Sequence, residues 1–295
     1  MKRPRRGKDL GTLGYGFAIV GTQKSGTTSL SALLDEHRNI LRAPRKEMHY
    51  FDDEKKDWVN PDFSDYVADR KSPAHQVLGD ATPAYLWWPQ ALERMRRYNP
   101  DILLIAIFRD PLERLFSQWV MTVNRWPKAA PDWPVFLTQY RPSTLPTQIP
   151  EGVHTGGYSL RSGVARGYYG AQLERGFSLF DREQWHLLEF KAFLSDYRTV
   201  LDGLTGFLGL PPFTEHPLLP HSMRNKPQAA GTAPTGVDIE GLLELYREDF
   251  KHFKQLSDLE VSHWPTQKLL DGTLRPEDLA AKFAEKVVPP AHAAT

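Results

Sequence analysis

The chain has 295 residues, enough for one large domain with a sizeable core, and its 40% hydrophobic and 25% charged residues suit a soluble globular protein. The formal net charge of +1 argues against a protein that coats nucleic acid and leaves room only for local basic pockets. No cysteine is present, which excludes disulfides, thiolate metal sites and thiol nucleophiles.

The first fifteen residues, MKRPRRGKDLGTLGY, are basic and lack the apolar core of a signal peptide, so a flexible tail is predicted over 1–15. No run approaches the ~18 apolar residues of a membrane span. The expectation is a cytoplasmic protein without one.

GFAIVGTQKSGTTSLSALLDE follows, from Gly16 to Glu36. Phe17 to Val20 read as a buried strand, Gly21 to Thr28 as a tight loop, and the rest as a helix. Small residues let backbone N–H groups approach phosphate oxygens, and the helix aims its positive end there. Lys24 adds a charge, and Thr27 and Thr28 add hydroxyl donors. The lysine precedes the second glycine, so this is not the triphosphate pattern G-x-x-x-x-G-K-[ST].

RAPRKEMHYFDDE reads as a loop or short edge strand. Glu47 and His49 are two apart, so on an extended segment they share a face and can form a general-base pair. PQALERMRRYNP predicts a helix stopped by Asn99-Pro100. Ile102 to Phe108 is an unbroken apolar run, the mark of a strand buried on both faces of a parallel sheet. DPLERLFSQWVMTVN then opens a helix with Asp110 as cap and Pro111 in the first helical position. Arg109 leaves the strand end and Ser117 lies eight residues on, so the two can grip a second phosphate.

Residues 125–165 are rich in Pro, Gly and Thr and read as an acceptor-side loop or lid. GYYGAQLERGFSLF reads as a helix, WHLLEF as a strand, KAFLSDYRTVLDGLTGFLGLPP as one long helix, and DIEGLLELYREDFKHFKQL as another. Strands alternating with helices predict an α/β fold with a central, mainly parallel sheet flanked by helices. One domain is expected over 16–265, with a C-terminal extension over 266–295 carrying a weak helix.

Together the motifs resemble the sulfotransferases that use 3′-phosphoadenosine 5′-phosphosulfate (PAPS). GTQKSGTTSL resembles their 5′-phosphosulfate loop and FRDPLERLFSQW their 3′-phosphate motif. RKEMHYFDD, TPAYL and the GYYGAQLERGF region follow in the order seen in heparan sulfate 3-O- and N-sulfotransferases. The resemblance implies a P-loop-like three-layer architecture and metal-independent sulfuryl transfer. It implies that Gln23, Lys24, Ser25, Gly26, Thr27, Thr28 and Ser29 hold the 5′-phosphosulfate, and that Arg109 and Ser117 hold the 3′-phosphate. It further implies that Glu47 is the base, with His49 beside it and Lys24 at the reacting centre. Arg224 and Lys226 fall where family members close over the nucleotide. The lysine that 3-O enzymes carry before Thr-Pro is replaced by Ala81, preceded by Asp80.

Tyr85, Trp87, Tyr168 and Tyr169 are candidate acceptor-binding aromatics. The expected partner is a small-molecule or glycan acceptor; nucleic acid is not expected. A nucleotide-dependent kinase and a non-catalytic nucleotide-binding protein are the alternatives.

Overall fold

The computed structural model describes residues 10–138, 142, 145–148, 162–219 and 228–288. Five parallel strands form the sheet: β1 (Thr12–Gly21), β2 (Ile40–Arg42), β4 (Val77–Ala81), β5 (Leu103–Phe108) and β6 (Trp185–Glu189), in the order β2-β4-β1-β5-β6. β3 (Val67–Asp69) adds antiparallel to the start of β1.

The apolar runs behave as their period requires. Along β5, Leu104, Ala106 and Phe108 enter one core, while Ile105 and Ile107 enter another on the opposite face. Phe17 and Ile19 of β1 join the second core, and Ala18 and Val20 the first. Successive strand side chains point to opposite faces, so a strand apolar at every position must be covered on both.

The helices are α1 (Thr27–Leu34), α2 (Ala91–Tyr98), α3 (Pro111–Arg125), α4 (Trp133–Thr138), α5 (Tyr169–Phe177), α6 (Phe190–Ser195), α7 (Tyr197–Phe207), α8 (Gly236–Ser257), α9 (Pro265–Leu270) and α10 (Pro276–Ala284). The segment from Lys191 to Leu210 is therefore two helices where one was expected. Asp196 leaves helical geometry, and its side chain accepts from the Thr199 N–H, capping α7.

A third core joins α3 to the C-terminal elements through Leu112, Phe116, Ile239, Leu243, Leu279 and Phe283. The rings of Phe116 and Phe283 stack with centroids 4.3 Å apart. Of the expected lid over 125–165, residues 139–141, 143–144 and 149–161 lie outside the described residues, as does the start of the basic tail.

β1 has β4 on one side and β5 on the other, all parallel. The loops leaving Gly21, Ala81 and Phe108 therefore emerge side by side, where ligands sit in such sheets.

Candidate functional site

The first loop is tied to the neighbouring strand. Thr22 donates through its backbone N–H and its hydroxyl to the Ile107 carbonyl, at 2.8 and 3.0 Å. The hydroxyls of Thr22 and Ser25 meet at 2.6 Å. Lys24 and Gly26 take left-handed backbone angles, φ 72° and 90°. Glycine adopts this readily and lysine does not, so the surrounding bonds hold Lys24 in an uncommon shape. Gly26 opens α1, whose N-terminus has no side-chain cap and no acidic residue in its first turn. Such an end presents unpaired N–H groups and a positive dipole to an anion. Thr28 is exposed there, while Thr27 and Ser29 are buried. The Gln23 side-chain oxygen is buried and has no hydrogen-bond partner among the described residues.

The second loop meets the first directly. Arg109 donates from Nη1 to the Lys24 carbonyl at 3.4 Å and from Nε to Glu113 at 3.3 Å. Burial, with the charges of Arg109 and Lys46 after it, pushes the Lys24 ammonium below its ordinary value. Asp110 is buried and caps two helices, accepting from Glu113 N–H at 2.9 Å and Thr266 N–H at 2.7 Å. Ser117 is partly buried two turns along α3. Glu113 lies within 4 Å of three cations: Arg109 Nε at 3.3 Å, Lys191 Nζ at 3.6 Å and Lys282 Nζ at 3.8 Å. Burial raises its pKa, but these charges outweigh burial and hold the carboxyl below its usual range.

Glu47 and His49 do come together, though not on an extended segment. Both have left-handed φ angles, 57° and 52°. His49 Nε2 lies 3.4 Å from Glu47 Oε2, and its Nδ1 lies 2.8 Å from buried Asp52. Lys46 donates to the other Glu47 oxygen at 2.6 Å. Partial burial would raise the Glu47 pKa, but the bonds from His49 and Lys46 bring it down to about 2. Burial would lower that of His49, but Asp52 and Glu47 raise it to about 9. The geometry is thus a carboxylate beside an imidazolium oriented by a second carboxylate. Of the four non-glycine residues with positive φ among the described residues, three are Lys24, Glu47 and His49. Such backbone shapes persist where the surroundings over-determine them, and they cluster at functional sites.

Asp80 organises the floor beneath this loop. It is buried and accepts from the hydroxyls of Tyr66, Tyr85 and Thr82 at 2.7, 2.7 and 2.8 Å. Thr82 in turn accepts from His49 N–H at 3.4 Å, and Tyr85 from Tyr50 N–H at 3.0 Å. Burial raises the Asp80 pKa against the pull of these bonds.

The four candidate aromatics are buried, and none presents an open ring face: Tyr85 is 0%, Trp87 1%, Tyr168 2% and Tyr169 1% exposed. Tyr169 holds the site from behind, donating to the Arg109 carbonyl at 2.9 Å. The Trp87 ring carries the guanidinium of Arg166 at 4.5 Å. Arg224 and Lys226 lie outside the described residues.

Sequence reasoning missed Thr22, Lys46, Asp52 and Glu113 as parts of the site. Glu113 was findable, because it stands four residues after Arg109 in the first turn of α3. Asp52 was also within reach, three residues after His49. Among the described residues no group of three or more His, Asp or Glu side chains is placed to hold a metal ion, and no helix is long and apolar enough to cross a membrane.

Residues 16–255 match the family described as "Sulfotransferase domain". Among curated proteins, the chain is similar to the membrane-associated sulfotransferase kil1 of Dictyostelium discoideum, with 32% identity over 37% of this chain and 23% of that protein. It is similar to heparan sulfate glucosamine 3-O-sulfotransferase 5 of Mus musculus, with 25% identity over 66% of this chain and 53% of the relative. The chain thus spans about a quarter of the first and about half of the second. A crystal structure of a sulfotransferase from Alicyclobacillus acidocaldarius shares the fold, with TM-score 0.63 and 24% identity over 85% of this chain and 98% of that one.

Proposed function

The chain belongs to the sulfotransferase domain family, and on that premise we propose that it moves a sulfuryl group from PAPS to a hydroxyl of a sugar-containing or small secondary-metabolite acceptor, with Glu47 as general base. One observation carries the reading. Lys24 is bonded through its carbonyl to Arg109, and the Glu47 loop is tied through the His49 N–H to Thr82, just past the end of β4, the strand that pairs with β1. This supports reading the three loops as the lining of one crevice.

The residues present fit the donor. The uncapped α1 end, the Gly26 turn and Lys24 suit the 5′-phosphosulfate, and Arg109 with Ser117 suits the 3′-phosphate. When bound, the donor supplies the sulfuryl group and a phosphate leaving group. Glu47 takes the proton of the attacking hydroxyl as that oxygen bonds to sulfur, in line with the departing phosphate oxygen. In this reading Lys24 and the α1 N–H groups stabilise the negative charge that builds on that oxygen. His49 holds the Glu47 carboxylate with one nitrogen while Asp52 fixes the other.

A carboxylate held near 2 is fully ionised at neutral pH but takes up protons weakly. Most of the rate enhancement comes from positioning and fixed charges. A cytoplasmic location goes with this reading.

The test uses donor carrying radiolabelled sulfate, with pools of glycans and hydroxylated small molecules as acceptors. Label should move to an acceptor with the native chain and far more slowly with Glu47→Gln. Equal transfer by the two proteins would remove Glu47 as the base.

A further inference from the structure

The cations around Glu113 come from three separate parts of the fold: Arg109 from the end of β5, Lys191 from α6, and Lys282 from α10. Among the described residues, Glu113 is the ion-pair partner of all three. Glu113 and Ser117 stand four residues apart on α3 and so share a face, and Arg109, which precedes the helix, reaches Glu113 from the loop before it. The cluster has two positive charges in excess, the charge needed to match a phosphomonoester dianion.

Lys282 owes its place to packing at the chain's C-terminal end. Its neighbour Phe283 stacks on Phe116, the residue before Ser117, with ring planes 2° apart. Just upstream, Thr266 N–H is bonded to Asp110, the residue after Arg109. The C-terminal partner in each joint, Phe283 or Thr266, lies beyond the family match, which ends at 255.

We propose that the C-terminal segment completes the 3′-phosphate side of the donor site: Lys282, with Lys191, binds the 3′-phosphate together with Arg109, and Glu113 is the internal counter-anion that holds the three cations until the phosphate takes its place. This rests on the PAPS reading and adds to it two residues outside either sequence motif. The lysine heads are exposed enough to swing, 42% for Lys191 and 59% for Lys282, so they can follow the phosphate. Each contact is a partly solvated charge pair and its effect is salt-sensitive.

The test is calorimetry on the full chain at low ionic strength, with adenosine 3′,5′-bisphosphate and adenosine 5′-monophosphate as paired probes. Lys282→Ala should weaken the bisphosphate roughly two- to tenfold. Lys282→Glu should weaken it further, and the monophosphate, which lacks the 3′ group, should bind all forms alike. Added salt should narrow the difference between native chain and variants. Unchanged bisphosphate affinity in Lys282→Glu would overturn the inference while leaving the donor reading standing. An equal loss for both nucleotides would also overturn it, because α10 would then act on the whole fold. A native chain that binds neither nucleotide would sink the donor reading and this inference together.

Discussion

Arg109 and Lys24 are joined by a hydrogen bond from the guanidinium of one to the backbone carbonyl of the other, at 3.4 Å. Each stands in a separate loop that the proposed function assigns to one of the donor's phosphates. The bond fixes the spacing of the two loops, so a ligand with anionic groups at both ends finds them at a set separation.

Arg109→Lys keeps the charge but loses the fork that reaches Lys24 and Glu113 together. It should weaken adenosine 3′,5′-bisphosphate by about tenfold or more, with a smaller loss for adenosine 5′-monophosphate. Calorimetry on both nucleotides checks this, and full retention by the lysine variant would show that point charge alone matters.

Glu47→Gln should lower kcat by roughly 10²–10⁴-fold, the usual contribution of a general base. Bisphosphate affinity should stay near that of the native chain. If kcat survives with KM raised instead, Glu47 binds the acceptor and does not take its proton.

His49 should titrate far above an ordinary histidine, near 9 against 6.5. A raised pKa makes its contribution to stability complete below about 6.5 and lost as pH rises through about 9. Glu47, lowered from 4.5 to about 2, contributes fully above 4.5 and loses its part as pH falls through 2. NMR of the His49 ring should show the high value, and Asp52→Asn should bring it down. A native His49 that titrates near 6.5 would dismiss the Glu47–His49–Asp52 arrangement.

Asp80→Ala should destabilise the fold by about 2–5 kcal/mol, because the hydroxyls of Tyr66, Tyr85 and Thr82 lose a buried acceptor. Asp80→Asn keeps an acceptor oxygen and should cost less. Denaturant unfolding measures both. A loss under about 1 kcal/mol for the alanine variant would mean that water takes the place of the carboxylate.

The sheet and most helices were legible because their signals are local. Ile102 to Phe108 is apolar at every step, and only a strand covered on both faces satisfies that. Asp110-Pro111 announced α3 with a cap and a first-turn proline. Asp196 was harder, since a charged residue in an amphipathic stretch reads equally as helix surface or as the cap of a second helix. Glu47 and His49 were paired on an assumption of extended backbone. Both residues have left-handed angles, and the His49 and Tyr50 N–H groups are held by Thr82 and Tyr85, far away in sequence, which no local pattern encodes. Aromatic content likewise says nothing of direction: Tyr169 points its hydroxyl at the Arg109 carbonyl and keeps its ring in the core. Lys282 was invisible because it depends on the Phe116–Phe283 stack, a contact between distant segments.

The central claim is that one crevice holds both phosphates of a single nucleotide. It is tested most directly by titrating adenosine 3′,5′-bisphosphate into the native chain and into Arg109→Ala. The account predicts clear binding without added metal by the native chain, tighter than that of adenosine 5′-monophosphate, and at least a tenfold loss in the variant. Equal affinity of the native chain for the two nucleotides, or of the two proteins for the bisphosphate, would contradict it.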